Sequence, residues 1–205
     1  MNLTETAVME ELLLTPTVTP TVPAEQLTTG LTEIDNHDIS WVYLRTNSES
    51  DAVSAGFWVM RTEVTNKQYR ACCSEGLCSE PISGYPNPVS EDAPVVSVTL
   101  KQAEAFCSRV GGELPSISQW QEAANSFRED EPVCHFRSER PMVLTPGEQS
   151  AAGLYGNVWE WTKEGMIAGG SYRTARQDIF TRRTARQDPT YGAEDVGFRC
   201  IRPIP

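Results

Sequence analysis

Residues 95–124 read VVSVTLKQAEAFCSRVGGELPSISQWQEAA, and two helix starts stand in that one stretch. Thr99 and Gln102 lie three apart, as do Ser116 and Gln119. This is the spacing of a capping box, in which a hydroxyl and an amide side chain satisfy each other's backbone N–H groups. After the first box, Ala103, Phe106, Cys107 and Val110 fall at i, i+3, i+4 and i+7. That is the apolar stripe of a helix packed on a sheet, and Gly111-Gly112 ends it near Val110. The second box opens a helix that carries Ile117, Trp120, Ala123 and Ala124 inward, until the polar run from Asn125 to Glu131 ends it.

Working towards the N-terminus, Thr65 caps a further short helix in which Tyr69, Cys72 and Cys73 fall at i, i+3 and i+4, so one face brings a ring and two thiols towards the core. Phe57 to Val64 reads as a strand, and so does Ile39 to Leu44, where both parities are largely apolar, as in a strand buried on both faces. The ordered domain is expected from about Leu31 to the end, residues 31–205. Residues 1–30 form a leading segment whose TPTVTPTVP run at 15–23 favours extended, solvated backbone. Towards the C-terminus, loops and short strands without a further helix are expected from Cys134 onward. Arg173-Thr-Ala-Arg-Gln-Asp178 recurs as Arg183-Thr-Ala-Arg-Gln-Asp188, but two copies are too few for a stacked repeat. The sum is a loop-rich α+β domain with two or three short helices and short antiparallel strands.

Composition narrows the function classes. The 205 residues carry a net charge of -11, which repels phosphate backbones and excludes nucleic acid as the expected partner. The early apolar run Leu12-Leu13-Leu14 is far too short to cross a membrane, and no signal peptide is recognisable. Six cysteines occur without a CxxC pair or a second cluster of zinc-ligand spacing, so disulfides and an extracytoplasmic setting are expected. The missing leader points to a trimmed chain or a piece of a longer one. Cys72 and Cys78 flank a turn through Glu75-Gly76 short enough to bring two Cα atoms to the distance a disulfide needs. A redox-active vicinal pair, Cys72-Cys73, is the alternative use of those thiols.

Several segments recur in a recognisable order. They are Glu63-Val64-Thr65-Asn66 with Gln68-Tyr69, Pro94-Val95-Val96 with Phe106-Cys107, and Gly112-Glu113-Leu114-Pro115-Ser116 with Trp120. They continue as Gly153-Leu154-Tyr155, Gly156-Asn157-Val158-Trp159-Glu160-Trp161, Gly169-Gly170-Ser171-Tyr172 and Gly197-Phe198-Arg199-Cys200. Over about residues 55–202 this series resembles the formylglycine-generating enzyme, or sulfatase-modifying factor, family. The resemblance implies a C-type-lectin-like fold. It also implies a disulfide between Cys107 and Cys200, which leaves Cys73 with Cys134 by elimination.

Active members of that family carry two cysteines after the Gly-Gly-Ser-Tyr segment, at places that fall here on Thr174 and about Ile179. A copper(I) site needs those soft thiolates, so no copper is expected. Related iron enzymes use three histidines, whereas this chain has only His37 and His135, both read as solvated loop residues. The resemblance further implies calcium at Gly156, Val158 and Glu160, which offer hard oxygen ligands. Family members usually place about three residues between Gly-Leu-Tyr and Gly-Asn, one of them a further ligand; here Tyr155 runs straight into Gly156. Two readings of Glu160 stay open, a calcium ligand or a carboxylate tied to backbone or an arginine beneath Trp159 and Trp161.

Five arginines lie between Arg173 and Arg186 in an otherwise acidic chain. Arginine forks take carboxylates and sulfates in pairs of hydrogen bonds. Tyr172, Arg173, Arg176, Phe180, Arg182 and Tyr191 are therefore the candidate ligand-binding residues, for an acidic protein, peptide or glycan. Arg183, Arg186 and Arg199 are read as pairing internally with Asp178, Asp188, Glu194 or Asp195. The expected function is a non-catalytic binding domain. An oxidase acting on a cysteine peptide and a retroelement-diversified ligand-binding protein are the alternatives that the resemblance leaves.

Overall fold

The computed structural model describes residues 27–46, 56–85, 90–128, 140–181 and 184–204. Strands β1 (Thr32–Ile34), β2 (Ser40–Leu44) and β3 (Phe57–Met60) form an antiparallel sheet, which β8 (Ile201–Pro203) joins at β3 to complete the order β1-β2-β3-β8. The chain's last strand therefore closes the sheet on its third. A second sheet, of order β6-β5-β4-β7, is built from β4 (Trp159–Trp161), β5 (Met166–Ala168), β6 (Thr184–Arg186) and β7 (Val196–Gly197), with only β4 and β7 parallel.

The double parity read in the β2 stretch has its cause in two cores. Trp41 and Met60 face a cluster with Tyr69, Cys72, Phe106, Cys107, Trp161 and Phe198. Val42, Leu44, Phe57 and Val59 face another with Trp120, Ala123, Ala124, Leu154 and Ile179. Helices α1 (Asn66–Ser74) and α2 (Leu100–Arg109) cover the first face and α3 (Ile117–Ser126) the second. Each of these helices opens with a complete capping box, Thr65 with Gln68, Thr99 with Gln102 and Ser116 with Gln119. Gly111 follows α2 at φ +72, a conformation that costs a side-chain-bearing residue but not glycine.

Three expectations are corrected. The strand read from Phe57 to Val64 stops at Met60, because β2 runs out of partners there: Trp41 pairs Met60, and the chain turns after Arg61, whose N–H still reaches Ser40 O. The packed chain starts before Leu31, since Leu27 is buried and Gly30 N–H donates to Tyr43 O. A fourth helix, α4 (Arg176–Thr181), forms in the C-terminal half, where none was expected. Its one buried side chain among those described, Ile179, anchors it in the second core.

Cys72–Cys78 and Cys107–Cys200 are disulfide-bonded, with Cα atoms 5.3 and 5.4 Å apart. The second joins α2 to the residue before β8 across 93 residues and, by loop-closure entropy, contributes roughly 4–5 kcal/mol. Cys73 carries a free thiol; its expected partner, Cys134, lies outside the described residues. No helix among the described residues is long and apolar enough to cross a membrane.

Candidate functional site

The family-like motif at 156–161 forms the bend into β4 and the strand itself, and its polar residues point into the protein. Glu160 is wholly buried. Its two oxygens accept from Arg199 Nε and Nη2 at 2.7 Å each, and Oε2 also accepts from Trp120 Nε1 at 2.8 Å. Arg199, equally buried, spends its remaining donors on Met60 O and Ala152 O. A buried ion pair survives only when its hydrogen-bonding capacity is filled in this way. The partner expected for Arg199 was one of the acids from Asp178 to Asp195; the fold supplies Glu160 instead, because β4 and the segment before β8 meet across the two cores. Of the two readings of Glu160, the structure holds the arginine-paired one. Gly156, Val158 and Glu160 do not fit calcium as arranged, since the one charge they offer is already neutralised by Arg199. Among the described residues, no three His, Cys, Asp or Glu side chains converge as a metal-binding group.

Beside this pair lies a second buried carboxylate that the sequence did not single out. Glu63 accepts from Asn157 Nδ2 at 3.0 Å. Burial, opposed by Arg199 and reinforced by the nearby Glu160, pushes its carboxyl up to about 8. Asn157, at φ +57, is the hub. Its Oδ1 accepts from Met142 N, its Nδ2 also donates to Met142 O, and its own carbonyl accepts from Tyr172 N at 2.8 Å. One left-handed residue thus fixes the loop at 142 and the loop at 172 against β3 and β4. Gly153 completes the packing: a Cβ there would stand 2.3 Å from Glu63 Oε1.

Tyr172 begins the expected ligand-binding loops, but it is buried, its ring lying beneath Arg173 with Cζ 5.2 Å from the ring centre. It is a supporting residue and not an exposed contact, because the Asn157 bond draws its backbone inward. Arg173 is half-exposed and pairs with the still more exposed Glu194 at 2.9 Å. Arg176 and Tyr191 are exposed. Arg182 and Arg183 lie outside the described residues, as do the side chain of Phe180 and all of His135. His37 donates its backbone N–H to Asp35 Oδ1 within the turn before β2, a structural role.

Thr174 and Ile179 come together beside Gly170: a Cβ built there would meet Ile179 Cγ1 at 3.1 Å and Thr174 Oγ1 at 3.4 Å. Thr174 Oγ1 accepts the Ser171 N–H at 2.9 Å, and Ile179 is fully buried. Ser171 Oγ in turn donates to Asp195 Oδ2 at 2.7 Å. The place holds a turn-forming hydroxyl and an alkyl group.

A separate groove of about 520 Å³ opens where α2, β5 and β6 meet, walled by Leu100, Met166 and Pro189 and rimmed by Lys163, Glu164, Arg186 and Gln187. Lys163 is held by Glu113 and Glu164 accepts Ile117 N–H, so both already have partners. On α1, Cys73 Sγ lies 3.9 Å from Tyr85 OH, and burial pushes its thiol up, away from the reactive thiolate.

Comparison with known proteins bears on this geometry. A family profile described as sulfatase-modifying factor enzyme 1-like domain matches residues 15–131 and 125–204. The formylglycine-generating enzyme of Bos taurus is 26% identical over a 165-residue alignment that covers 53% of this chain and 44% of that one; the chain thus spans less than half the length of this relative. Among solved structures, PvdO from Pseudomonas aeruginosa superposes with a TM-score of 0.68 at 16% identity, covering 87% of this chain and all (100%) of that one. Treponema denticola variable protein 1 superposes with a TM-score of 0.61 at 13% identity, covering 85% and 99%. At these identities the structural likenesses establish the fold, which is the C-type-lectin-like α+β arrangement expected.

Proposed function

This chain belongs to the sulfatase-modifying factor enzyme 1-like domain family, and from that premise we propose that it is a non-catalytic member, a binding domain that acts outside the cytoplasm. The observation that carries this reading is that Thr174 and Ile179 stand together beside Gly170, both within 3.4 Å of where its Cβ would be. These are the places where active members resembling this chain carry cysteines. Copper(I) selects soft sulfur ligands, and the cycle with oxygen needs thiolates. A hydroxyl engaged in a turn and a buried alkyl group supply neither. What the scaffold keeps is a pair of loops, at 142 and 172, fixed from within by Asn157, with exposed Arg173 on the second, exposed Arg176 at the start of α4 just beyond it, and exposed Tyr191 in the segment between β6 and β7. Such cations on rigid loops suit an acidic peptide or glycan. Two disulfides, one spanning 93 residues, support an oxidising compartment.

The test has two arms. The protein is incubated aerobically with copper(I) and a cysteine-containing peptide, and the peptide's mass is followed; no formylglycine is expected, and its formation overturns the reading. An array of acidic peptides and sulfated glycans should retain the protein in a salt-sensitive way, with Arg176→Gln weakening retention.

A further inference from the structure

We infer that the groove between α2, β5 and β6 is a binding site for the free C-terminal carboxylate of a peptide ending in an aliphatic residue, with Arg186 taking the carboxylate. This rests on the reading of the domain as a binding module and places a ligand class at a site away from the loops at 172–176. Three observations carry it. First, Arg186 is exposed on the edge strand β6, where its backbone is in register with Met166, and no hydrogen bond or ion pair engages its guanidinium among the described residues, in a chain whose acids exceed its bases by 28 to 17. The other rim charges are spoken for, Lys163 by Glu113 and Glu164 by the first N–H of α3. A guanidinium left open beside a cavity is a fork of donors without an acceptor.

Second, three apolar side chains line the same groove: Leu100, Met166 and Pro189. Third, Gly165 lines the groove at φ +70, a conformation that disfavours any side chain there, and the place where a Cβ would stand is in ordinary contact, 3.4 Å, with Leu100 Cδ2. A ligand that fits must join one anionic, bidentate acceptor to a short apolar body. An aliphatic C-terminal residue has that form, with Gln187 beside Arg186 as a second polar contact on the rim. A small aliphatic carboxylic acid shares the chemistry without the peptide.

Isothermal titration of the intact chain distinguishes these sources, using an N-acetylated tripeptide ending in leucine, its C-terminal amide, and 4-methylpentanoate. The expected result is saturable binding of the free-acid peptide, weakened at least tenfold by amidation and by Arg186→Gln but unchanged in Lys67→Gln, which removes an exposed cation of α1. Arg186 is exposed, so its variant should melt with the wild type. Equal binding of acid and amide overturns the proposal, and so does equal weakening by Arg186→Gln and Lys67→Gln. Binding of 4-methylpentanoate as tight as the tripeptide overturns the peptide source. Absence of binding by every probe also overturns the proposal, while the binding-module reading is judged separately by the formylglycine assay and the arrays.

Discussion

Arg199 and Glu160 meet wholly inside the protein through two parallel hydrogen bonds of 2.7 Å, joining β4 to the segment that leads into β8. The pair is the covalently unremarkable counterpart of the Cys107–Cys200 disulfide one residue away: both tie the chain's last strand to elements far back in sequence. Removing one partner leaves the other charge buried and alone. Arg199→Met should therefore destabilise the domain by about 3–5 kcal/mol. The double variant Arg199→Met with Glu160→Leu should recover part of that loss, because it removes the stranded charge. Urea denaturation of the two variants against the wild type reads both effects, and a double variant no more stable than the single one would contradict the argument.

Glu63 gives the domain a pH dependence of definite sign. Its folded-state carboxyl is raised by burial to about 8, above its ordinary value. A raised group lends its stability in full below the unfolded value and loses it as pH climbs through the folded one. Stability should accordingly fall as pH rises from about 5 to about 8, because the unfolded chain loses this proton across that window while the folded protein holds it. Glu63→Gln, which keeps the Asn157 contact without the charge, should flatten that slope. Thermal melts across the same window check it.

Reduction should cost far more at one disulfide than at the other. Replacing Cys107 and Cys200 with alanine removes a closure of 93 residues and is expected to cost roughly 4–5 kcal/mol, whereas losing Cys72–Cys78, a closure of 6, costs about 2 kcal/mol. Denaturation midpoints of the two double variants, each beside the wild type, give the comparison.

Cys73 should be a slow thiol. Its sulfur sits beside Tyr85 OH, and burial raises its titration point. Alkylation at neutral pH in the folded protein should run well below the rate of an unstructured cysteine peptide, and unfolding in denaturant should abolish the difference. Equal rates would remove Cys73 from the packed helix face.

Exposed charge should matter little to stability. The Arg173–Glu194 pair lies in solvent, so Glu194→Gln is expected to change the unfolding free energy by less than about 1 kcal/mol. The same substitution frees Arg173 and should strengthen retention on the acidic-ligand arrays.

The sequence by itself determined whatever rests on short spacing. Two capping boxes and the Thr65 cap are legible because a capping side chain acts within three residues of its own position. The Cys72–Cys78 bond is legible because a six-residue turn leaves little freedom. The double apolar parity around β2 announces a strand with core on both sides, and the ordered motifs announce the family. Tertiary structure alone decided what depends on distant partners. Glu160 and Arg199 are 39 residues apart, and each had several plausible partners in the chain. Glu63 and Asn157 are 94 apart, with no pattern linking them. The same holds for α4: six residues without a recognisable cap, helical because Ile179 has a core to enter. Local interactions encode their own geometry, whereas a polar group far from its mate shows only the need for a partner, and packing chooses which one.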